Sequence, residues 1–160
     1  MPDNSTALVA IDWGTSSLRG ARPTAQGPVL EEISLARGLL TVPAGGFDAL
    51  FDELFGGWLQ QAGAVPCLIS GMAGSRQGWV EAPYCACPAG FAEVAQHLAW
   101  VRPGQIAIVP GLNCFHENRG LPTVPDVMRG EEVQIFGAMQ LTGVRDGLFV
   151  LPGTHRKWAQ

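Results

Sequence analysis

The first apolar run of this chain, Leu8-Val9-Ala10-Ile11, ends in Asp12, and Trp13-Gly14-Thr15-Ser16-Ser17 follows before extended, apolar sequence resumes at Leu18. Gly14 lets the backbone turn tightly. The hydroxyls of Thr15, Ser16 and Ser17 lie beside backbone N–H groups, a concave donor surface suited to an anion such as phosphate. A carboxylate has no attraction for phosphate, so Asp12 fits the complementary task of holding a hydrated Mg²⁺ that neutralises it. An ordinary hairpin with small residues at its tip accounts for this turn alone equally well. A second turn of the same make-up shifts the balance: Leu148-Phe149-Val150-Leu151 runs into Pro152-Gly153-Thr154-His155, and two such turns make a phosphate clamp. A P-loop is excluded, because it requires Gly-x-x-x-x-Gly-Lys-[Ser/Thr] and the single lysine, Lys157, precedes Trp158. No strand lysine of the protein-kinase type is present either.

Turns of this kind need strands to carry them. After a hairpin over residues 8–21, Val29 to Ala36 reads as a third strand. Phe47, Leu50, Phe51, Leu54, Phe55 and Trp58 recur at helical spacing and predict an amphipathic helix over Asp48 to Gln61. That helix is expected to fray near Gly56-Gly57, where each glycine costs up to ~1 kcal/mol relative to alanine. Pro66 to Ser70 is a short buried strand delivering the small-residue turn Gly71 to Trp79, and open α/β sheets bind ligands at such strand ends. Phe91 to Val101 reads as a helix and Gln105 to Val109 as a strand. Pro110 to Cys114 reads as a loop, continued by polar sequence to Pro125. Arg129-Gly130-Glu131-Glu132 opens a helix running to about Leu141. This order predicts an α/β fold whose mixed sheet has three antiparallel strands and further parallel ones, a ribonuclease-H-like layout with flanking helices.

With 47% apolar and 15% charged residues among 160, the chain can bury a substantial core. Its net charge is −4 and its nine arginines are scattered, so neither nucleic acid nor an anionic membrane is an expected partner. The N-terminus offers neither a basic signal region nor a membrane span, which points to the cytoplasm. Cys67, Cys85, Cys87 and Cys114 match no zinc-ribbon or Cys-x-x-Cys spacing. Reduced structural thiols are expected, with a soft-metal site at Cys85 and Cys87, joined by His97 or His116, as the alternative.

Five blocks, in order, carry a family resemblance: Ile11-Asp12-Trp13-Gly14-Thr15-Ser16-Ser17-Leu18-Arg19, Ser70-Gly71-Met72-Ala73-Gly74-Ser75-Arg76-Gln77-Gly78-Trp79, Cys87-Pro88-Ala89-Gly90, Asp126-Val127-Met128-Arg129-Gly130-Glu131-Glu132 and Leu151-Pro152-Gly153-Thr154-His155. The chain resembles the 2-dehydro-3-deoxygalactonokinase family, within the acetate and sugar kinase, Hsc70 and actin superfamily. The resemblance implies an actin-like ATPase domain that uses ATP and Mg²⁺ to phosphorylate the terminal hydroxyl of a small sugar acid, 2-dehydro-3-deoxy-D-galactonate. It also implies a second domain, absent here: residues 1–146 would be the N-terminal domain and 147–160 the first hairpin of a truncated second one. The severed hairpin is expected to be loosely anchored, or to pair with a second copy in a homodimer, and the chain alone is expected to be inactive.

The same resemblance distributes roles. Asp12 would organise Mg²⁺, with Gly14, Thr15 and Ser16 on the ATP phosphates and Gly153, Thr154 and His155 closing from the other side, although Arg156 stands where a serine is expected. Related sugar kinases place an acidic base in a Gly-Asp-Gln turn that opens a helix, and Gly130-Glu131-Glu132 occupies that place. Glu131 would then be the base, with Asp126 as the alternative. The competing role is helix capping, since carboxylates in a first turn stabilise a helix by ~0.3–1 kcal/mol. Arg76 would grip the substrate carboxylate with two parallel hydrogen bonds, Ser75 and Gln77 would meet sugar hydroxyls, and Arg129 is the second candidate for the carboxylate or the γ-phosphate.

Overall fold

A computed structural model describes residues 5–115, 125–152 and 156–160. Gly153, Thr154, His155 and His116 lie outside the described residues. The central sheet has six strands: β1 (Val9–Trp13), β2 (Leu18–Pro23), β3 (Val29–Leu35), β4 (Cys67–Ser70), β6 (Ala99–Arg102) and β7 (Ile106–Ile108), in the order β3-β2-β1-β4-β7-β6. The first three strands are antiparallel neighbours, β1, β4 and β7 run parallel, and β6 returns antiparallel at the edge. The mixed α/β expectation is met in this arrangement.

Period-two alternation splits β1 between two faces. Val9, Ile11 and Trp13 are buried, while Ala10 and Asp12 point the other way and are partly exposed. Helix α1 (Phe47–Ala62) covers the first face with Phe47, Leu50, Phe51, Phe55, Trp58 and Leu59. It does not fray at Gly56 and Gly57, as their propensity suggested. Phe55, Trp58 and Leu59 flank the pair and pack into the core, which outweighs about 1 kcal/mol per glycine. Gly20 on β2 permits this approach, since a Cβ there would fall 2.5 Å from Phe55 Cε1.

Two further expectations are corrected. The helix expected over Phe91 to Val101 is only α2 (Phe91–Gln96), and Ala99 to Arg102 is strand β6. The edge of β7 offers Ala99 to Arg102 a hydrogen-bonded ladder, and tertiary pairing overrides the helical periodicity there. The loop expected at Pro110 to Cys114 contains strand β8 (Gly111–Phe115), which lies between β5 (Tyr84–Ala86) and β9 (Pro125–Met128) in a second, three-stranded sheet. Helix α3 (Glu131–Thr142) follows β9, and β10 (Phe149–Leu151) pairs antiparallel with β11 (Lys157–Ala159) as a separate hairpin.

Cys85 and Cys67 are buried and Cys87 is exposed, and none of the four thiols is in a disulfide. No group of three metal-ligating side chains occurs among the described residues. No helix among them is long and apolar enough to cross a membrane.

Candidate functional site

The tip of the first hairpin is shaped by its neighbour. The Gly14 N–H donates to the Ser17 carbonyl at 2.9 Å, closing the turn. The carbonyls of Gly14, Thr15 and Ser16 accept from the N–H groups of Leu39, Leu40 and Gly38 at 2.9, 3.1 and 3.2 Å. Gly38 is there because nothing larger fits: a Cβ would fall 2.4 Å from the Ser16 carbonyl carbon. With its carbonyls occupied on one side, the turn leaves the N–H groups of Thr15, Ser16 and Ser17 without a backbone acceptor among the described residues, and the Thr15 and Ser16 side chains are exposed. That is the donor arrangement an anion requires.

Asp12 sits one residue before the end of β1, with Arg19 of β2 and Ser70 of β4 as its flanking strand partners. Burial raises its pKa above the ordinary carboxylate value. Arg19, at 3.6 Å, pulls it down, and the negative charge of Glu131 pushes it up. A half-buried carboxylate that also feels a second negative charge is a position that a cation relieves.

Two glycines bring Glu131 into range. Gly71 follows β4 with φ +89°, and a Cβ on it would lie 2.8 Å from the Trp13 carbonyl oxygen and 3.2 Å from Asp12 Oδ1. Gly130 precedes α3 with φ +104°, and its Cβ would lie 3.2 Å from Gly71 Cα. Both adopt backbone angles that L side chains rarely take. The ends of β1, β4 and β9 therefore nest backbone against backbone, with no side chain between them.

The Gly-Glu-Glu turn is fixed from inside. Glu132 is fully buried, and both of its carboxylate oxygens accept from the Gly130 N–H, at 2.7 and 2.9 Å. Burial raises its pKa, against the lowering effect of the Gly130 hydrogen bond. Glu131 Oε2 accepts from the Arg129 N–H at 3.0 Å. The Arg129 guanidinium stacks over Tyr84, 4.3 Å from the ring centroid, and Nη2 donates to the Ala82 carbonyl at 2.9 Å. Its Nε and Nη1 are buried without an acceptor among the described residues.

The remaining candidates fall around this centre. Arg76 and Gln77 are exposed on the turn after β4, and Arg76 Nε lies 3.9 Å from Glu81. Ser75 Oγ is buried without a hydrogen-bond partner among the described residues. Asp126 is ion-paired with Lys157 of the terminal hairpin, Nζ to Oδ1 at 2.5 Å, which ties β11 to β9. Behind them, Trp13 and Trp79 pack with Phe47 in the aromatic core. Sequence reasoning missed Glu132, Gly71 and Gly130 as a unit. The signal was available in the glycine directly before each helical turn, the short one at Met72–Gly74 and α3, but the contact of Gly71 with Gly130 joins residues far apart in the chain.

A family model described as 2-keto-3-deoxy-galactonokinase matches residues 12–160. The chain belongs to this family. It is 41% identical over 156 residues to a Rhizobium meliloti protein named a probable 2-dehydro-3-deoxygalactonokinase, covering 94% of this chain and 48% of the relative. It is 36% identical over 153 residues to the 2-dehydro-3-deoxygalactonokinase of Escherichia coli, covering 95% and 48%. A crystal structure of a Sinorhizobium meliloti protein described as a 2-dehydro-3-deoxygalactonokinase superposes with a TM-score of 0.76 at 41% identity, over 94% of this chain and 48% of that one. The chain thus spans about half the length of the relatives it matches.

Proposed function

We propose that this chain forms the phosphate-gripping and base-bearing half of an ATP-dependent kinase that phosphorylates the terminal hydroxyl of 2-dehydro-3-deoxy-D-galactonate, in galactonate catabolism. The observation that carries the reading is the nesting of Gly71 and Gly130, which brings the charge of Glu131 to bear on Asp12 beside a turn rich in N–H donors. The strand order, three antiparallel strands continued by two parallel ones, supports a ribonuclease-H-like, actin-like domain.

The donor set suits Mg²⁺. Asp12 would be its protein ligand, the rest being water and phosphate oxygens, in keeping with an ion that is usually bound by one or two carboxylates. When bound, the ion supplies neutralisation of phosphate charge. The Thr15, Ser16 and Ser17 N–H groups bind phosphate oxygens, and Glu131 takes the proton of the attacking hydroxyl as the hydroxyl oxygen bonds to the γ-phosphorus and the bond from that phosphorus to the bridging oxygen of ADP breaks, ADP leaving with the electron pair. Gly153, Thr154 and His155 would complete the grip from the opposite hairpin. Arg76 and Gln77, projecting from one exposed turn, would meet the carboxylate and hydroxyls of the sugar acid. Glu132 and Arg129 hold the turn that presents Glu131. The domain division at residues 146 and 147 and a cytoplasmic site of action belong to the same proposal.

The test is a chimera in which this chain replaces the matched half of the Escherichia coli relative. It should phosphorylate 2-dehydro-3-deoxy-D-galactonate with Mg-ATP, whereas the 160-residue chain alone should not turn over. In the chimera, Asp12→Asn should lower kcat by about a hundredfold or more. Comparable turnover on gluconate and glycerol would refute the substrate assignment, and an unchanged kcat for Asp12→Asn would refute the role of Asp12.

A further inference from the structure

The four thiols are not placed alike. In the three-stranded sheet, β5 runs parallel to β8 with Tyr84, Cys85 and Ala86 opposite Gly111, Leu112 and Asn113. The Cys87 N–H donates to the Asn113 carbonyl at 2.8 Å, so the ladder carries on one residue further and sets Cys87 beside Cys114. Side chains two apart on a strand share a face, which puts both thiols on the side of Cys85 and Leu112. Cys85 and Leu112 are buried in the second core cluster, whereas Cys114 is half-buried and Cys87 exposed. The pair therefore sits where that core opens to solvent. Neighbouring strands lie about 4.8 Å apart, within the Cα separation of about 4.4–6.8 Å that a disulfide spans. The other two thiols are engaged elsewhere. Cys67 is fully buried in β4, and Cys85 Sγ donates to the Glu93 carbonyl of α2 at 3.8 Å.

We propose that Cys87 and Cys114 are a redox-active dithiol, which hydrogen peroxide converts to a disulfide within the chain. The Cys87 thiol gives up its proton and its sulfur attacks one peroxide oxygen; the O–O bond breaks, Cys87 becomes a sulfenic acid, and the departing hydroxide takes the proton to leave as water. The Cys114 sulfur then attacks the Cys87 sulfur and displaces hydroxide, which leaves as a second water with the Cys114 proton. Two thiols and one peroxide thus give one disulfide and two waters, the sulfurs oxidised and the peroxide oxygens reduced. Burial, with the charges of Cys114 and Cys85 behind it, raises the Cys87 pKa above the ordinary thiol value, so its attack is slow at neutral pH and quickens as pH rises. The bond would brace the sheet that carries the Gly-Glu-Glu turn. Cys114 stands opposite Asp126 on β9, Asp126 holds Lys157 of the terminal hairpin, and β9 leads directly to Gly130 and Glu131. The inference rests on strand register and stands whether or not the kinase reading holds.

The test is oxidation of the 160-residue chain by dilute hydrogen peroxide, followed by alkylation in denaturant, proteolysis and mass spectrometry. Alkylatable thiols should fall from four to two, and the cross-linked peptides should be those holding Cys87 and Cys114 of one chain. Dithiothreitol should restore all four. The rate of thiol loss should climb about tenfold between pH 7 and pH 8, following the thiolate fraction of a group whose pKa lies above that range. Cys87→Ser, at an exposed position, should abolish the cross-link with circular dichroism unchanged. Cys114→Ser should leave Cys87 as a sulfenic acid that dimedone traps. A cross-link through Cys67 or Cys85, disulfides only between chains, four thiols surviving treatment, or a Cys87→Ser chain that loses thiols as fast as the native one would each overturn the inference.

Discussion

The two faces of the six-stranded sheet are made by alternate residues of the same strands yet do different work. Toward α1, Val9, Ile11 and Trp13 join Phe51 and Phe55 in a cluster whose largest members are fully buried. Toward the other side, Ala10 and Asp12 face a groove, and the strand ends carry a half-buried carboxylate, a tight donor turn and two glycines in left-handed conformations. One face stores stability and the other tolerates groups that cost it. Because the two sets of side chains lie on opposite sides of one backbone layer, their mutational effects should be close to additive.

The steepest way to break this comparison is Phe55→Ala on the closed face. It should cost about 3–5 kcal/mol in a denaturant titration, through lost burial and the cavity left between α1 and β2. On the open side, Gly71→Ala should cost less, about 1–3 kcal/mol, because it forces a side chain into φ +89° against the Trp13 carbonyl. Its distinguishing effect is a change in the environment of Asp12, visible as a shift in the titration of that carboxyl by carbon-detected NMR.

Glu132→Gln sharpens the comparison in the opposite direction, since it should stabilise the protein. Burial raises the Glu132 pKa above the ordinary glutamate value, so the folded state binds the proton more tightly than the unfolded state. The native protein must therefore lose stability as pH rises from the ordinary glutamate value through the raised folded one. Glutamine keeps an oxygen for the Gly130 N–H without the charge. The variant should melt higher at neutral pH, with the difference fading as the medium becomes acidic. A lower melting temperature at pH 7 would mean that the buried charge is compensated by groups other than those in contact here. The smallest effect belongs to Arg76→Ala, whose side chain is 88% exposed: stability should change by no more than about 0.5 kcal/mol.

How much of this was legible in the sequence follows from the range of the interactions. The stripe from Phe47 to Trp58 and the apolar run ending at Asp12 are local patterns, and α1 and β1 form where they indicate. The strand at Ala99–Arg102 was hidden because its ladder partner, β7, lies beyond the turn and overrides a helical periodicity. β8 and β9 were hidden because Asn113, Pro125 and Asp126 are weak strand formers, held extended only by cross-strand pairing with Val127, Phe115 and Cys114. In the site, Asp12 was legible from its own turn. Glu131 emerged only through resemblance, and the buried Glu132 was passed over because two adjacent glutamates look alike until one of them is seen inside.

The proposed function requires Asp12 and the Thr15–Ser17 turn to bind metal and phosphate together. Amide chemical shifts of the 160-residue chain, titrated with Mg²⁺ and pyrophosphate, test this most directly. Thr15, Ser16, Ser17 and Glu131 should shift together only when both ions are present, and Asp12→Asn should remove the response while leaving the rest of the spectrum in place. Shifts confined to other parts of the chain, or a response in the Asp12→Asn variant as large as in the native protein, would contradict it.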